Sequence, residues 1–281
     1  MLPSSTAIIM RARNEMPYVQ RVLDMLQRQG FRDYVLYAVD SGSDDGTFEA
    51  LQAACPPERL ERIPPESYAP GKVINHAIER TEQDVVVLLN ADAVPLSEHF
   101  LEILLGPLQR GKADAVFARQ RARPDARFIV AYDYQRAYAS AHMAPDFFSA
   151  VACAFKRPLW ERHRFRPEGY AEDLAWARSC MADGARFCFV PEAEVEHSHN
   201  YTLKALYRKR RRQAVTFDDQ PHLPGRIGSC LREMGRDLLH ACRKWRPDTI
   251  PYNLAYRLVI HTAIHQGLKE AGRRSAEPAD A

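Results

Sequence analysis

The sequence has no long apolar run, no segment with the pattern of a signal peptide and no C-x-x-C pair of cysteines. Its apolar runs are short, such as residues 85–89, whereas a helix that crosses a bilayer needs about 20 apolar residues. The N-terminal segment MLPSSTAIIMRARNE has no basic region followed by an apolar stretch and a small-residue cleavage site, as a signal peptide would. The six cysteines form no C-x-x-C pair, so we expect free, mostly buried thiols rather than a zinc site or a disulfide framework. These absences predict a cytoplasmic protein.

The composition is that of a folded protein, but its charge is unevenly distributed. Of the 281 residues, 46% are apolar and 27% are charged, and the net charge is +3, which argues against extensive disorder. Residues 203–281 carry 16 Lys/Arg against 8 Asp/Glu, whereas residues 1–202 carry 23 against 28. The basic tail predicts contact with an anionic partner, such as phosphates or a membrane surface. A solvated helical surface is the alternative.

Short β-branched segments alternate with helical patterns over the first two-thirds of the chain. This alternation predicts an α/β fold with a mostly parallel sheet covered by helices. The predicted strands are 6–10, 34–39, 84–89, 114–118 and 186–190, and the helices between them are 17–29, 47–54, 72–81 and 97–109. After residue 201 the pattern is helical only, at 203–217, 227–244 and 253–270. We therefore expect an α/β domain over residues 1–217 and a C-terminal helical extension over residues 218–281.

Polar segments follow three of the predicted strands. They are residues 11–15 after the first strand, 40–47 after the second and 90–95 after the third. In an open α/β sheet, ligands bind at the carboxyl ends of the strands. We therefore expect these segments to contribute to one ligand-binding cleft.

Asp40 directly follows an apolar strand. A carboxylate only accepts hydrogen bonds, which suits the N3–H group of uracil or thymine, and for Asp40 we favour ligand binding. The alternative is that residues 40–47 only form turns and cap the next helix, as Ser, Asp and Gly commonly do. For residues 43–47 this alternative is favoured.

Asp92 closes an apolar strand two residues after Asn90. Mg²⁺ and Mn²⁺ take oxygen ligands, usually one or two carboxylates together with substrate phosphates, so Asp92 is a candidate metal ligand. His197 and His199 share one face if their segment is extended, which makes both candidate ligands. The structural alternatives are an Asn-x-Asp turn and ordinary structural histidines.

Glu172 and Asp173 stand where a helix is predicted to begin. Acidic residues stabilise a helix N-terminus by about 0.3–1 kcal/mol, so a structural role explains them as well as a general base does. Further along the chain, the basic run 208–212 is too dense for one helical stripe. We expect some of its guanidinium groups to contact phosphates and others to be solvated.

Six short motifs occur in a recognisable order. They are Asn14-Glu15, VDSGSDDGT at 39–47, APGKVINHAI at 69–78, LLNADAVP at 88–95, GYAEDLAWA at 169–177 and VEHSHNYT at 195–202. Together they resemble the family 2 glycosyltransferases with the GT-A fold, over roughly residues 6–215. The segment 70–95 and the HSHNYT motif look most like the bacterial rhamnosyltransferase-like branch.

The resemblance implies roles for single residues. Asp173 and Glu172 match the catalytic acidic pair, and Asp92 matches the metal-binding acid, with His197 or His199 at the late metal-contacting position. The predicted donor-binding residues are Arg11, Arg13, Asn14, Glu15, Asp40, Lys72, Asn75, Asn90 and Ala91, and the predicted diphosphate contacts are Arg208, Arg211 and Arg212. The sequence departs from the family pattern at Asn90, where Asp is usual. Metal affinity would then rest mainly on Asp92.

The implied reaction is an inverting, metal-dependent glycosyl transfer. A UDP- or dTDP-sugar donor would react with a hydroxyl of a glycan or lipid-linked acceptor, with Asp173 as base and with Mg²⁺ or Mn²⁺ stabilising the diphosphate. A sugar nucleotidyltransferase is disfavoured because RARNEMPYV contains no glycine. A non-catalytic nucleotide-sugar-binding protein is supported only by Asn90. A dinucleotide oxidoreductase is disfavoured because no G-x-G-x-x-G follows the first strand.

The C-terminal helices suggest further partners. Apolar residues recur near helical spacing within 253–270, so we expect this helix to pack on the catalytic domain or on a second subunit in a homo-oligomer. The basic face of the tail would suit an anionic membrane that carries a lipid-linked acceptor, at the inner, cytoplasmic surface. No nucleic-acid partner is expected.

Overall fold

Eight strands form one mixed sheet in the computed structural model, which describes residues 6–139, 143–144, 146–167, 171–214 and 223–276. The strands are β1 (Thr6–Ala12), β2 (Tyr34–Asp40), β3 (Leu60–Arg62), β4 (Val85–Leu89), β5 (Val94–Pro95), β6 (Ala115–Arg121), β7 (Ala152–Lys156) and β8 (Phe187–Glu196). Their order across the sheet is β3-β2-β1-β4-β7-β6-β8-β5. Strands β3, β2, β1 and β4 run parallel, and β7 is antiparallel to both β4 and β6.

The two apolar faces of the sheet explain why these segments are strands. Successive side chains of β1 alternate between two buried cores: Ile8 and Met10 enter one, and Ala7 and Ile9 enter the other. This is the two-residue period of an extended chain. A strand that is apolar on both faces is typical of a parallel sheet covered by helices on both sides.

Ten α-helices lie within the described residues. They are α1 (Tyr18–Arg28), α2 (Thr47–Ala54), α3 (Pro70–Glu79), α4 (Phe100–Gln109), α5 (Phe128–Ala137), α6 (Arg157–Arg162), α7 (Glu172–Ala182), α8 (Leu203–Ala214), α9 (Leu223–Arg243) and α10 (Ile250–Ala276). Helices α1, α2 and α4 pack on the core that contains Ile8, and α3, α6 and α7 pack on the core that contains Ile9. The predicted α/β class with a mostly parallel sheet is therefore confirmed.

The predicted strands and helices are all present, with shifted ends. Helix α4 begins at Phe100 rather than at residue 97, because Ser97 accepts the backbone N–H groups of His99 and Phe100 in a preceding turn. Strands β3, β5 and β7 and helices α5 and α6 were not among the elements predicted from the sequence. All six cysteines are free and four are buried, as expected.

The chain divides into two compact units. One contains residues 1–124, 134–168 and 172–198, and the other contains residues 125–133, 169–171 and 199–281. The first holds the sheet. The predicted domain boundary between residues 217 and 218 lies outside the described residues, so that division stays a prediction.

A buried arginine forms ion pairs between several segments of the second unit. Arg257 of α10 is 4% exposed and forms ion pairs with Asp237 and Glu233 of α9 and with Asp133. Helix α10 packs along α8, which belongs to the predicted domain 1–217, as well as along α9, and packing on a second subunit stays a prediction. None of the helices within the described residues combines the length and hydropathy that crossing a bilayer requires.

Candidate functional site at the carboxyl end of the sheet

Two loops that follow neighbouring parallel strands are joined by hydrogen bonds. The backbone N–H of Asn14 donates to Ser43 Oγ at 2.9 Å, and that of Glu15 donates to Thr47 Oγ1 at 2.8 Å. Asn14 has a φ of 55°, a left-handed conformation that Asn tolerates better than most residues, and its Oδ1 accepts from the Asp44 N–H. The segments after β1 and β2 therefore form one rigid rim, and residues 43–47 form the predicted turns.

Asp40 lies inside that rim. Its carboxylate is 0% exposed, and it accepts hydrogen bonds from the N–H groups of Gly42 and Ser43 and from Ser43 Oγ. Arg62 Nε lies 3.5 Å from Asp40 Oδ1. These contacts are those of a turn-forming side chain. Recognition of a nucleotide base by Asp40 therefore stays a prediction, and it would require Asp40 to give up some of these hydrogen bonds.

Arg11 links the ends of β1 and β4 to the start of α7. Its Nη2 donates to Asn90 Oδ1 at 3.0 Å, and its Nη1 lies 3.4 Å from Glu172 Oε1. The side chains of Arg11 and Glu172 are only 10% and 12% exposed. Asn90 therefore orients a buried cation, a role its amide oxygen performs without adding charge.

Asp173 is held one residue beyond that ion pair. Its Oδ2 accepts from the Ala150 N–H at 3.4 Å, and its Oδ1 accepts from the Leu174 N–H at 2.9 Å. Burial and the negative charge of Glu172 raise the pKa of Asp173 to about 6, although its hydrogen bonds and Arg11 act in the opposite direction. A carboxylate with a raised pKa, fixed at a helix start, has the proton affinity of a general base.

Asp92 is buried beside an arginine that sequence reasoning missed. Arg123 Nη2 donates to Asp92 O at 3.0 Å and to Asp92 Oδ2 at 2.9 Å, and its guanidinium carbon lies 3.4 Å from the centroid of the Tyr18 ring. Burial, followed by the charge of Asp92, raises the pKa of Glu15 to about 8. The predicted donor-binding Glu15 therefore binds a proton more readily than an exposed glutamate does.

His197 is oriented by a chain of side chains. Ser149 Oγ accepts from Gln120 Nε2 at 2.8 Å, which directs Gln120 Oε1 towards His197 Nδ1, 2.8 Å away. Because an amide oxygen only accepts, Nδ1 donates this hydrogen bond. Nε2 is then the nitrogen on the side of Asp92, whose Oδ2 lies 3.4 Å away.

The Asp92–His197 pair fits a divalent cation. The carboxylate and the imidazole each offer a ligand atom, and two ligands about 2.0–2.2 Å from one ion lie roughly 3.0–3.6 Å apart. A hydrogen bond from the second imidazole nitrogen is the usual support of a metal-binding histidine, and Gln120 accepts it here. His199 begins the second unit, and its role as a ligand stays a prediction.

Other predicted donor-binding residues have packing roles. Asn75 donates to Phe165 O at 2.7 Å and accepts from Trp160 Nε1 at 2.9 Å, while a Cβ at Gly71 would lie 1.9 Å from Arg166 O. Much of the APGKVIN motif is therefore explained by the close packing of α3. Lys72 on the same helix is exposed.

Two of the remaining donor-binding predictions differ in burial. Ala91 is 0% exposed, and its N–H donates to Arg11 O. Arg13 is exposed. Ligand contact stays a prediction for both.

The predicted diphosphate contacts lie together on α8, in the second unit. Arg208, Arg211 and Arg212 line a cavity of about 340 Å³ with Lys204 and Tyr207. The rest of the basic run has other partners: Lys209 donates to Tyr201 Oη, and Arg210 donates to Gln213. Arg211 also pairs with Glu270, and diphosphate contact stays a prediction for all three arginines.

A consistent use of the strand-end rule would have found the missed residues. Gln120 and Arg123 stand at the carboxyl end of β6, just after the predicted strand 114–118. The stacking of Arg123 on Tyr18 joins residues 105 positions apart and has no local sequence signal.

Comparisons with known proteins agree with this architecture. A family model described as "Glycosyltransferase like family 2" matches residues 3–216. The O-antigen chain rhamnosyltransferase RfbN of Salmonella typhimurium is 26% identical over 203 residues, which cover 67% of this chain and 64% of the relative. The chain therefore spans less than two thirds of that relative.

Two solved structures resemble the fold. A mannosyltransferase from Pyrobaculum calidifontis, in complex with GDP-Man and Mn²⁺, is 20% identical and superposes with a TM-score of 0.59. The match covers 98% of this chain and 76% of the mannosyltransferase chain. The glucosyl-3-phosphoglycerate synthase of Mycobacterium tuberculosis, in complex with Mg²⁺ and uridine diphosphate, is 20% identical with a TM-score of 0.53, covering 75% of this chain and 77% of its own. The fold is GT-A-like, and the chain belongs to glycosyltransferase family 2.

Proposed function

We propose that this protein transfers a sugar from a nucleoside-diphosphate sugar to a hydroxyl group of a growing glycan, with inversion at the anomeric carbon. The observation that carries the proposal is the pair of acidic positions at the carboxyl end of the sheet, Asp92 beside His197 and Asp173 beside Glu172. One position suits a cation at the diphosphate, and the other suits a base at the acceptor. The name of the Salmonella relative supports rhamnose as the sugar and an O-antigen chain as the acceptor.

Asp173 is the proposed base. Its carboxylate accepts the proton of the acceptor hydroxyl as that oxygen attacks the anomeric carbon, and the bond to the diphosphate oxygen breaks on the opposite face. A positioned base contributes about 10²–10⁴-fold to the rate. Glu172 is paired with Arg11, so it is the less suitable of the two carboxylates and acts by raising the proton affinity of Asp173.

Asp92 and His197 are the proposed ligands of Mn²⁺ or Mg²⁺, with His199 as a further predicted ligand. When bound, the ion would offset the negative charge that develops on the leaving diphosphate. The imidazole ligand favours Mn²⁺, since Mg²⁺ takes oxygen ligands almost exclusively. Arg123 provides a second positive charge beside Asp92. We propose that it donates hydrogen bonds to the diphosphate when Asp92 coordinates the divalent ion.

A product analysis tests the reaction. The protein is incubated with UDP-, dTDP- and GDP-sugars and an acceptor glycan, with Mn²⁺ or with a chelator, and the released nucleotide and the product's anomeric configuration are measured. We expect release from one donor class, stimulation by Mn²⁺ and an inverted product. A retained configuration, or tight donor binding without turnover over the whole donor panel, would refute the proposal.

A further inference from the structure

Helix α9 presents apolar side chains to solvent. Ile227, Leu231, Leu238 and Leu239 are 55%, 63%, 44% and 59% exposed. Ile227, Leu231 and Leu238 recur at intervals of four and seven residues, which places them on one helical stripe. Exposed leucines scattered singly are ordinary, but a continuous exposed stripe marks an interaction surface.

The stripe continues onto the neighbouring helix. Ile227 and Leu231 line an open, largely apolar cavity of about 310 Å³ together with Leu258 of α10. Leu258 is itself 54% exposed, and Leu254, one turn earlier, is 37% exposed. The two helices therefore form one apolar surface rather than two separate stripes.

Basic residues border this surface. Arg232, Arg243 and Lys244 are exposed on α9 and directly after it. The acids of α9 do not offset them at the surface, because Asp237 is 1% exposed and pairs with Arg257, and Glu233 pairs with Arg257 and His261. The exposed positive charge at this border favours an anionic partner.

A tryptophan stands at the end of α9, within the basic segment. Trp245 is 89% exposed, between Lys244 and Arg246. Full exposure of an indole is unfavourable in water, whereas the boundary between headgroups and acyl chains accommodates its apolar ring and its N–H group. Exposed leucines on a helix, a basic border and an exposed tryptophan just beyond the helix end are features of a segment that lies in a membrane surface.

We propose that these residues form a docking face for the surface of an anionic lipid bilayer. The docking face comprises Ile227, Leu231, Leu238, Leu239, Leu254, Leu258 and Trp245, with Arg232, Arg243 and Lys244 as its basic border. The leucines and Trp245 enter the headgroup region, and the basic side chains contact lipid phosphates. The face has this chemistry whether or not the protein transfers sugars, and its test needs no donor, so its failure and that of the proposed function are distinguishable.

Trp245 provides a specific reporter. The other two tryptophans, Trp160 and Trp176, are each 2% exposed, so a change in emission upon addition of vesicles reports Trp245. With vesicles of phosphatidylcholine containing 30% phosphatidylglycerol, we expect the whole protein to co-sediment and its emission to shift to shorter wavelength. With pure phosphatidylcholine, we expect binding at least tenfold weaker. In Trp245→Phe the shift disappears while co-sedimentation persists.

Matched substitutions distinguish vesicle binding by the docking face from nonspecific vesicle binding. We expect Leu231→Ser/Leu239→Ser and Arg232→Gln/Arg243→Gln each to weaken vesicle binding at least tenfold. Leu96→Ser and Arg28→Gln replace exposed residues of the first unit and should leave binding unchanged. Circular dichroism confirms that each variant is folded.

Two results would overturn the proposal. One is equal binding, or no binding, to anionic and neutral vesicles. The other is a concentration-dependent dimer in which Trp245 emission is already shifted without lipid and is insensitive to vesicles, since a second copy of the chain would then cover the face.

Discussion

Arg123 donates hydrogen bonds to both the backbone oxygen and the carboxylate of Asp92, at 3.0 and 2.9 Å. The side chains of the two residues are only 8% and 3% exposed. The carboxylate proposed to hold a divalent ion is thus already paired with a guanidinium group. A metal ion that binds Asp92 competes with Arg123 for the same oxygen.

This competition leads to a prediction for Arg123→Gln. Without the guanidinium group, Asp92 is a stronger metal ligand, so the donor-free protein should bind Mn²⁺ about tenfold more tightly. In the presence of Mn²⁺, the same variant should bind the nucleoside diphosphate at least tenfold more weakly, because a phosphate contact is lost. Calorimetry measures both affinities.

Arg121→Gln is the matched control for that substitution. Arg121 also lies near the end of β6, but it is paired with Glu194 and is 58% exposed. Its loss should change neither affinity. If Arg123→Gln weakens Mn²⁺ binding, the guanidinium group supports the metal site rather than competing with it.

Asp92→Asn should abolish stimulation by Mn²⁺ and leave Arg123 without a counter-charge. Removing one partner of a buried ion pair costs about 3–5 kcal/mol, and we expect the free energy of unfolding to fall by an amount near the lower end of that range. The double variant Asp92→Asn/Arg123→Gln should regain much of this loss. Denaturant unfolding of the wild type, the two single variants and the double variant measures the coupling energy. Additive losses of unfolding free energy would show that the pair is not coupled.

The sequence correctly predicts that candidate residues lie where parallel strands end, while their roles in the site stay predictions. Arg11 lies near the end of β1, Asn90 and Asp92 follow β4, and adjacent parallel strands place their carboxyl ends side by side. The rule does not give the partner of each residue. Ligand binding by Asp40 stays a prediction, and only the three-dimensional structure shows that its carboxylate also accepts the hydrogen bonds of its own turn.

The fold was predictable to a similar extent. Strands β1, β2 and β4 are apolar over four or more residues and are bounded by polar segments. Strands β3 and β5 have three and two residues, too few for a periodic signal, and pair with chain segments distant in sequence. Helix α5, FIVAYDYQRA, has aromatic and β-branched residues that favour a strand, so its helical state depends on tertiary contacts.

The raised pKa of Asp173 predicts a pH dependence. A base must be deprotonated, and the pKa of Asp173 is about 6. Below that value kcat/KM should fall about tenfold per pH unit, and Asp173→Asn should reduce turnover by about 10²-fold or more with donor affinity nearly unchanged. Steady-state rates between pH 4.5 and 8 test this. A larger loss in Glu172→Gln would identify Glu172 as the base.

The same pKa predicts that Asp173 destabilises the protein at neutral pH. Because the pKa is higher in the folded state than the ordinary value of 3.8, the folded state binds more protons between about pH 4 and pH 6, and stability falls as the pH rises through that window. Asp173→Asn should therefore unfold at a higher temperature than the wild type above pH 6.5, by roughly 2–4 °C. The difference should vanish near pH 4, and a difference independent of pH would contradict the assignment.

The packing of α10 on α8 depends on a glycine, and a second glycine provides the control. A Cβ at Gly267 would lie 2.4 Å from Arg211 O and 2.9 Å from Ala214 Cβ, whereas no described heavy atom lies within 4 Å of a Cβ at Gly235 of α9. Both positions are helical, so alanine gains about 0.5–1 kcal/mol of helix propensity at each. Gly235→Ala should show that gain, while Gly267→Ala should lose about 1–3 kcal/mol because the two helices must separate. Thermal unfolding of both variants decides the matter, since equal shifts would mean that α10 does not depend on close contact with α8.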